Sequence, residues 1–385
     1  MIVTHLNLTD FRNYESLDVE LHPGANLFVG SNGQGKTNLV EALGYLSTLG
    51  SHRVSVDHAM IRQGQDSAII RARLSHSERE LLAEVQLNRT GANRAQVNRS
   101  PIKTRELPRY FSSVLFAPED LALVRGEPSG RRRFLDELLI LRTPRMSGVI
   151  ADYERVLRQR NTLLKSARNA RGDLGTLDIW DERLITFGSE IIAARSALVD
   201  ELSPEVTAAY SSIAGADHAA RLSNYLSIFA TSADEEIVDA TATRAGPLEV
   251  DAVAVGFRAA LARLRRSELD RGVTLAGPHR DDLVLELNTL PARGYASHGE
   301  SWSFALALKL ASAAVLRRES SAGDPVLILD DVFAELDEAR RGRLASAVGD
   351  FEQVLITAAV FDDVPVELAT HVVRIRAGRV IDDAE

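Results

Sequence analysis

Eight consecutive residues near the start of the chain carry the groups that can hold a phosphate chain. They are Gly30, Ser31, Asn32, Gly33, Gln34, Gly35, Lys36 and Thr37, and they match the pattern G-x-x-x-x-G-K-[ST]. Glycines let backbone N–H groups turn toward a β-phosphate, Lys36 reaches the β and γ oxygens, and the Thr37 hydroxyl ligates Mg²⁺. Because lysine is rare in this chain, a chance match has a probability on the order of 0.002. The segment predicts a site for ATP and its Mg²⁺ ion.

Two adjacent carboxylates follow a second apolar segment. Asp330 and Asp331 come directly after Val326–Leu329, which is typical of a buried parallel strand whose carboxyl end faces a site. In enzymes with this phosphate loop, the first acid completes the Mg²⁺ shell and the second polarises a water molecule. We therefore predict Thr37 and Asp330 as metal ligands, and Asp331 and Lys36 as catalytic residues. No N-K-x-D base-recognition motif occurs, which disfavours a GTPase.

An α/β fold is needed to bring these two segments together. Periodicity predicts a helix from Lys36 to Gly50, and strands at 2–8, 17–21, 27–29, 114–116, 283–285, 326–329, 354–356 and 372–375, with a further set within 68–100. Helices dominate the middle: a stretch from Arg125 to Arg171, one at 179–213 broken by Pro204, and one at 250–269 after an acidic loop near 231–246. We predict an α/β domain formed by 1–125 and 271–385, interrupted by a mainly helical insertion at 126–270.

Composition restricts the class of protein further. The chain has 385 residues, 45% of them hydrophobic and 26% charged, as in a globular protein. It has no cysteine, which excludes disulfides, thiolate metal sites and cysteine nucleophiles. No apolar stretch reaches 18 residues and the first residues do not resemble a leader, so we expect no membrane span and a cytoplasmic location.

Positive charge is concentrated in one part of an otherwise acidic chain. The net charge is −9, yet Arg125–Arg171 holds twelve basic and five acidic residues. We predict that this stretch contacts the phosphates of duplex DNA without reading its sequence, through arginines at 131, 132, 133, 155, 158 and 160. The alternative is a solvated helix face balanced by acids from elsewhere. The cluster His279–Asp282 is interpreted as a structural turn or an ion pair, because it offers too few metal ligands.

Further motifs carry a resemblance to a known family. Ser297-x-Gly299 and Glu335-Leu336-Asp337 flank the acidic strand, as in the ATP-binding cassette class. Within that class the chain resembles the RecF family, on the stretches Phe11–Tyr14, Ser51–Arg53, Phe116–Leu121, Arg131–Asp136 and Gly277–Asp282. The resemblance implies an ATPase head with an inserted arm or lid. Glu300 departs from the glutamine usual in the family. Thr357 follows the acidic strand where transporter ATPases place a histidine, and it is interpreted either as a γ-phosphate sensor or as a plain strand residue.

The resemblance also implies a function and partners. The head would dimerise around ATP, with Ser297, Gly299 and Asp337 of one subunit meeting the nucleotide held by the other, and would hydrolyse ATP slowly. Implied partners are double-stranded or gapped DNA, RecR and RecO, with RecA loaded downstream during recombinational repair and replication restart.

Two other functions remain open from the residues alone. A small-molecule kinase with the same phosphate loop would be monomeric and would transfer phosphate to a metabolite. A nucleotide-binding subunit of a membrane transporter is disfavoured, because the long separation of Lys36 from Ser297 leaves room for an inserted arm that such subunits lack.

Overall fold

The phosphate loop and the acidic pair both follow strands of one mostly parallel sheet. A computed structural model describes residues 1–76, 79–170, 175–215, 218–230, 243–320 and 323–381. Its strands are β1 Ile2–Phe11, β2 Tyr14–Glu20, β3 Gly24–Val29, β4 Ser67–His76, β5 Arg79–Asn88, β6 Arg94–Val97, β7 Ser100–Ile102, β8 Ser113–Phe116, β9 Ala220–Tyr225, β10 Thr243–Arg244, β11 Asp282–Leu287, β12 Leu290–Pro291, β13 Val326–Asp330, β14 Gln353–Ala358, β15 His371–Arg376 and β16 Arg379–Ile381. Its helices are α1 Lys36–Thr48, α2 Leu121–Arg125, α3 Pro128–Arg142, α4 Met146–Ala170, α5 Leu177–Ala214, α6 Val250–Arg271, α7 Ala292–Tyr295, α8 His298–Glu319 and α9 Glu338–Val348.

One compact unit, the head, comprises Met1–Leu121, Ala208–Asp217 and Ser297–Glu385. It contains the parallel sheet, in the order β16-β15-β3-β14-β13-β8, in which only the edge strand β16 is antiparallel. Because β14 lies between β3 and β13, the ends of these three strands meet at one edge. This topology brings the loop after β3 beside Asp330, which ends β13.

A second, antiparallel sheet of the head runs in the order β2-β1-β4-β5-β6-β7. Its inward-facing residues alternate along each strand, and they form one apolar core with the buried face of α1, in which Leu6, Ile70, Val85 and Leu43 are fully buried. The outer edge of this sheet is β7, followed by a 3₁₀ helix at Thr104–Arg109. Within the head, Lys309 of α8 donates to Asp120 and to the Leu115 carbonyl, both at 2.8 Å.

The other compact unit, the arm, comprises Ala122–Thr207 and His218–Ala296. It holds helices packed around Phe257, Ile192 and Leu184, together with the small antiparallel sheet β10-β9-β11-β12. The sequence-based division was 126–270. The compact unit begins at Ala122, omits Ala208–Asp217 and ends at Ala296; its end lies after 270 because the strand predicted at 283–285 belongs to β11, which pairs with β9.

Helix α5 corrects one sequence prediction, the break at Pro204. The helix continues through this proline from Leu177 to Ala214. Leu202 and Val206 on either side are fully buried, so side-chain packing holds the segment helical although proline removes one backbone donor. The acidic loop expected near 231–246 and Arg171 fall largely outside the described residues. None of the helices in the described ranges is long and apolar enough to cross a membrane.

Candidate nucleotide site

The phosphate loop has the backbone geometry that its glycines predict. Gly33 and Gly35 take φ values of 80° and 119°, in the left-handed region that glycine tolerates best. Lys36 begins α1, and its side chain is buried and curves back along the loop, donating to the carbonyls of Gly30 at 2.7 Å and Ser31 at 3.3 Å. The loop therefore places a cation and the N-terminus of a helix at the end of β3.

Two glycines of this loop have no space for a side chain. A Cβ on Gly30 would lie 2.2 Å from the backbone oxygen of Ile375 in the neighbouring strand. A Cβ on Gly35 would lie 2.8 Å from both the Asn13 amide nitrogen and the Tyr14 hydroxyl. Asn13 and Tyr14 also stabilise the loop, because Asn13 donates to the Gln34 carbonyl and Tyr14 donates to the Gly35 carbonyl. The motif Phe11–Tyr14 thus supports the shape of the phosphate loop.

Thr37 and Asp330 lie together as a pair of hard oxygen ligands. The Thr37 hydroxyl donates to Asp330 Oδ1 over 3.1 Å, although 293 residues separate them in the chain. Thr357, at the neighbouring position of β14, is fully buried and donates to the same oxygen over 2.6 Å. A hydroxyl beside a carboxylate at a phosphate loop fits Mg²⁺, which prefers oxygen ligands and retains waters and phosphate oxygens in its shell. The hydrogen bond from Thr357 orients the Asp330 carboxylate for this role.

Asp331 occupies a strained position next to this pair. Its φ is 51°, and its backbone N–H donates to the Thr357 hydroxyl over 2.9 Å. Burial raises the pKa of its carboxyl group and so does Asp330, while Lys36 lowers that pKa. Asp331 Oδ1 is buried and has no hydrogen-bond partner among the described residues. A carboxylate held in this way, with an unpaired oxygen and a raised pKa, is suited to accept a proton from water.

His52 was not predicted as a site residue, yet it lies beside the carboxylate pair. Its Nε2 is 3.7 Å from Asp330 Oδ2, is buried, and has no hydrogen-bond partner in the described part of the chain. The only sequence signal was its place in Ser51–Arg53, a motif noted for the resemblance alone. An unpaired ring nitrogen at this position can donate to or accept from a group bound between Thr37 and Asp330.

A cavity of about 790 Å³ lies next to the start of α1. Its walls include Asn13 and Asn38, which bond to each other, and the side chains of Arg12 and Arg53. Arg12 is held by the buried Glu41 through two hydrogen bonds of 2.8 and 2.6 Å, so its charge is largely compensated. Arg53 donates to Asn38 and is more exposed. The cavity is large enough to receive a nucleoside beside the phosphate loop.

The Ser297–Gly299 segment forms the start of α8. The Ser297 hydroxyl accepts from the Glu300 N–H, and the Glu300 carboxylate accepts from the Ser297 N–H at 2.7 Å. Glu300 is thus turned back onto its own helix as a capping box, a pattern visible in the sequence Ser-x-x-Glu. Glu300, which stands where the family usually has glutamine, is thus engaged at the start of its own helix.

Asp337 lies close to the same segment through Arg340. Asp337 caps α9 by accepting from the Arg340 N–H, and its second oxygen accepts from the Arg340 side chain at 2.9 Å. The Arg340 guanidinium also covers Gly299, where a Cβ would lie 2.9 Å from it. The head therefore presents Ser297, Gly299 and Asp337 as one connected group.

Three of the six arginines predicted to contact DNA are consecutive, yet they have different surroundings. Arg131 is 4% exposed and donates twice to Asp282, at 2.8 and 2.7 Å. A guanidinium that is buried and bonded to Asp282 cannot reach a DNA phosphate, so the prediction that Arg131 contacts DNA is wrong. Arg132 is half-buried and donates to the Asp281 carbonyl, while Arg133 is exposed and pairs with Glu137.

The other three predicted arginines, Arg155, Arg158 and Arg160, are also ion-paired, and Arg160 is buried too deeply to reach a phosphate. Arg160 is fully buried between Asp181 and Glu268, whereas Arg155 and Arg158 are exposed and pair with Asp152 and Glu154. The alternative of a helix face balanced by acids therefore describes most of this stretch. His279 and Asp281 are structural as well: His279 bonds to Tyr153, and Asp281 accepts from Ser227. Among the described residues, no group of three or more His, Cys, Asp or Glu side chains is placed to hold a metal ion by itself.

Comparison with known proteins identifies the family. A model of the RecF/RecN/SMC N-terminal domain matches residues 2–379. A protein of Clavibacter michiganensis subsp. michiganensis, named DNA replication and repair protein RecF, is 68% identical, with 99% of this chain and 96% of that protein covered. The chain belongs to the RecF family. A relative with the same name from Leifsonia xyli subsp. xyli is 66% identical, covering 99% of this chain and 100% of its own.

Solved structures agree with this assignment. The structure of the recombination mediator protein RecF-ATPrS in the RecFOR pathway superposes with a TM-score of 0.87 and 27% identity, covering 100% of this chain and 98% of that one. An Smc head bound to the C-terminal winged-helix domain of ScpA matches with a TM-score of 0.54 and 14% identity, over 99% of this chain and 97% of its own, which shows the shared fold alone. The RecF-family chain therefore has the ATPase-head fold expected from its motifs.

Proposed function

We propose that this RecF-family protein is an ATP-dependent DNA-binding protein of replication and repair, acting in the cytoplasm and hydrolysing ATP slowly as a conformational switch. The observation that carries the proposal is the convergence of Lys36, Thr37, Asp330 and Asp331 at one edge of the parallel sheet. The names of the RecF relatives, which are 66–68% identical over nearly the whole chain, support the role in DNA replication and repair.

The proposed reaction assigns a separate task to each side chain. The backbone of Gly30–Gly35 and the Lys36 ammonium bind the triphosphate, while Thr37 and Asp330 hold Mg²⁺. The ion would neutralise charge on the β and γ oxygens. Asp331, with its unpaired oxygen, orients a water molecule and accepts its proton. Thr357 keeps Asp330 in position, and the His52 ring nitrogen can hydrogen-bond to a group bound between Thr37 and Asp330. The cavity lined by Asn13 and Arg53 receives the nucleoside.

The second half of the site would come from another copy of the chain. Ser297 and Asp337 are both exposed, and Arg340 lies against both Asp337 and Gly299, so these residues form one surface able to meet the γ-phosphate held by a second head. On this proposal ATP links two heads, and hydrolysis releases them. RecR and RecO as partners, RecA loading as the outcome, and gapped or duplex DNA as the substrate belong to the same proposal.

Sedimentation with and without ATP tests the proposed dimer, using the wild type, Lys36→Arg and Asp331→Asn. We expect ATP and Mg²⁺ to dimerise the wild type, because the triphosphate supplies contacts to both heads. The Asp331 variant should stay dimeric longer, since it binds ATP but hydrolyses it poorly, and the Lys36 variant should remain monomeric. Ser346→Ala, which alters an exposed hydroxyl of α9 away from the site, is the control.

A monomer under every condition, together with transfer of phosphate to a metabolite, would instead indicate the small-molecule kinase. Without such transfer, a monomer that binds ATP would refute only the dimer, whereas absence of ATP binding would refute the nucleotide site itself.

A further inference from the structure

One edge of the head carries a group of cations that no mechanism described above uses. These are Arg94, Arg99, Lys103, Arg105 and Arg109, here named the basic edge. All five side chains are exposed. Glu106 is the single acidic residue between 94 and 109, so this short segment is strongly positive in a chain whose net charge is −9.

The basic edge differs from the arm arginines in how its charges are compensated. Within the described residues, no ion pair or side-chain hydrogen bond involves any of its five members. In the arm, by contrast, Arg131 and Arg160 are buried in ion pairs, and Arg155 and Arg158 each have a carboxylate partner. Uncompensated cations attract a polyanion more strongly than paired ones, because no internal partner must first be displaced.

The backbone arranges these cations along a line. In the β6–β7 hairpin, Val97 is opposite Ser100 and Ala95 is opposite Ile102, so Arg94 and Lys103 lie side by side at its open end. Arg99 lies at the turn, with φ of 65°. Lys103 follows Arg99 by four residue steps, which in extended chain is about 14 Å. The 3₁₀ helix Thr104–Arg109 follows directly and contains Arg105 and Arg109. One DNA strand rises about 3.4 Å along the duplex axis per phosphate, so this length corresponds to about four base-pair steps of the duplex.

We propose that the basic edge binds the sugar–phosphate backbone of duplex DNA. The inference rests on the proposed function, and it assigns the main phosphate-binding surface to the head instead of the arm. The side chains end in guanidinium and ammonium groups, which bind phosphate oxygens, and no aromatic side chain of this segment is placed to stack on a base. Binding is therefore indifferent to sequence and depends steeply on salt.

The experiment measures binding of a fluorescent 30-base-pair duplex by anisotropy, with ATP and Mg²⁺, over a series of salt concentrations. The edge variant replaces Arg99, Lys103, Arg105 and Arg109 by glutamine. The control variant replaces Arg183, Arg221, Arg258 and Arg266, four exposed arm arginines outside the Arg125–Arg171 stretch, by glutamine and so removes the same charge. Melting temperature and ATP binding are measured for both.

We expect the edge variant to lose up to about 3.6 units of the slope of log K against log salt, since each of its four lost phosphate contacts removes about 0.9. Its affinity at low salt should fall at least about tenfold, with ATP binding unchanged, while the control retains most of the wild-type slope.

Equal slopes for the edge variant and the wild type would overturn the inference and leave the proposed function standing. This outcome, combined with aggregation of the edge variant, would mean that the cations only protect an exposed strand from pairing. Loss of binding to a polyglutamate peptide without loss of duplex binding would assign the edge to an acidic protein and would also overturn the inference. A wild type that binds no duplex would refute the proposed function itself.

Discussion

Replacing Arg160 by methionine should lower the stability of the arm without directly changing the affinity for DNA. Arg160 is fully buried and donates to Asp181 at 2.7 Å, Glu268 at 2.6 Å and Thr274 at 2.8 Å. Methionine fills part of the volume but leaves a fully buried carboxylate, Glu268, without its cation. Removing one partner of a buried ion pair costs about 3–5 kcal/mol.

The remaining contacts keep the cost within that range. Glu268 still accepts from the Leu275 N–H, and Asp181 still has Arg265. For a unit of the size of the arm, each kcal/mol lowers the melting temperature by about 2–4 °C, so we expect a decrease of about 10 °C. Differential scanning calorimetry of the full chain measures it. The matched variant Arg158→Met removes an exposed arginine whose pair with Glu154 spans 3.7 Å, and it should melt within about 2 °C of the wild type.

An opposite pattern would refute this reasoning. If Arg160→Met melts like the wild type but loses part of the salt dependence of duplex binding, Arg160 contacts phosphate, and the buried network is not formed in solution. The DNA-contact prediction made from the sequence would then be right for this residue.

Three further predictions concern the site and one buried acid. Gly35→Ala should weaken ATP binding more than tenfold in a fluorescent-nucleotide titration, because its Cβ meets Asn13 and Tyr14, whereas Gly91→Ala, also at positive φ but with nothing within 4 Å, should not. His52→Gln should raise the Mg²⁺ concentration needed for half-maximal ATP binding by about tenfold at an unchanged melting temperature, since it disturbs the surroundings of Asp330; an unchanged Mg²⁺ requirement would place His52 outside the site. Burial raises the pKa of Asp281 to about 6. Between pH 4 and 6 the folded chain therefore keeps a proton that the unfolded chain loses, and wild-type stability falls as the pH rises, by up to about 3 kcal/mol. Asp281→Asn cannot show this loss, so urea unfolding should reveal a gain relative to the wild type across that window and a constant difference above it; parallel curves would contradict the shift.

Local sequence was sufficient where one segment determines its own geometry. The phosphate loop, α1 and the strand before Asp330 follow from contiguous patterns of glycine and apolar residues. Glu300 could have been assigned correctly as well, because Ser297-x-x-Glu300 is a capping-box pattern.

Long-range partners decided the features that the sequence did not reveal. Arg131 and Arg133 belong to the same run of three arginines, yet only Arg131 meets Asp282, 151 residues away, and is buried. The Pro204 prediction was wrong because packing of the flanking residues outweighs the loss of one hydrogen bond. His52 lies in the site only because the fold brings it to within 3.7 Å of Asp330, a residue far from it in the sequence.

Lys36 is buried at the nucleotide site and Lys103 is exposed on the basic edge, so the reactivity of each lysine amine can report on a different binding event. Only two other lysines exist, Lys165 and the ion-paired Lys309, so acylation by an amine-directed reagent yields very few products, each identifiable by mass spectrometry. Labelling at position 36 would track occupancy by nucleotide, and labelling at position 103 would track coverage by DNA. Nucleotide binding and DNA binding could then be followed together in one sample of the wild-type chain, with no attached fluorophore.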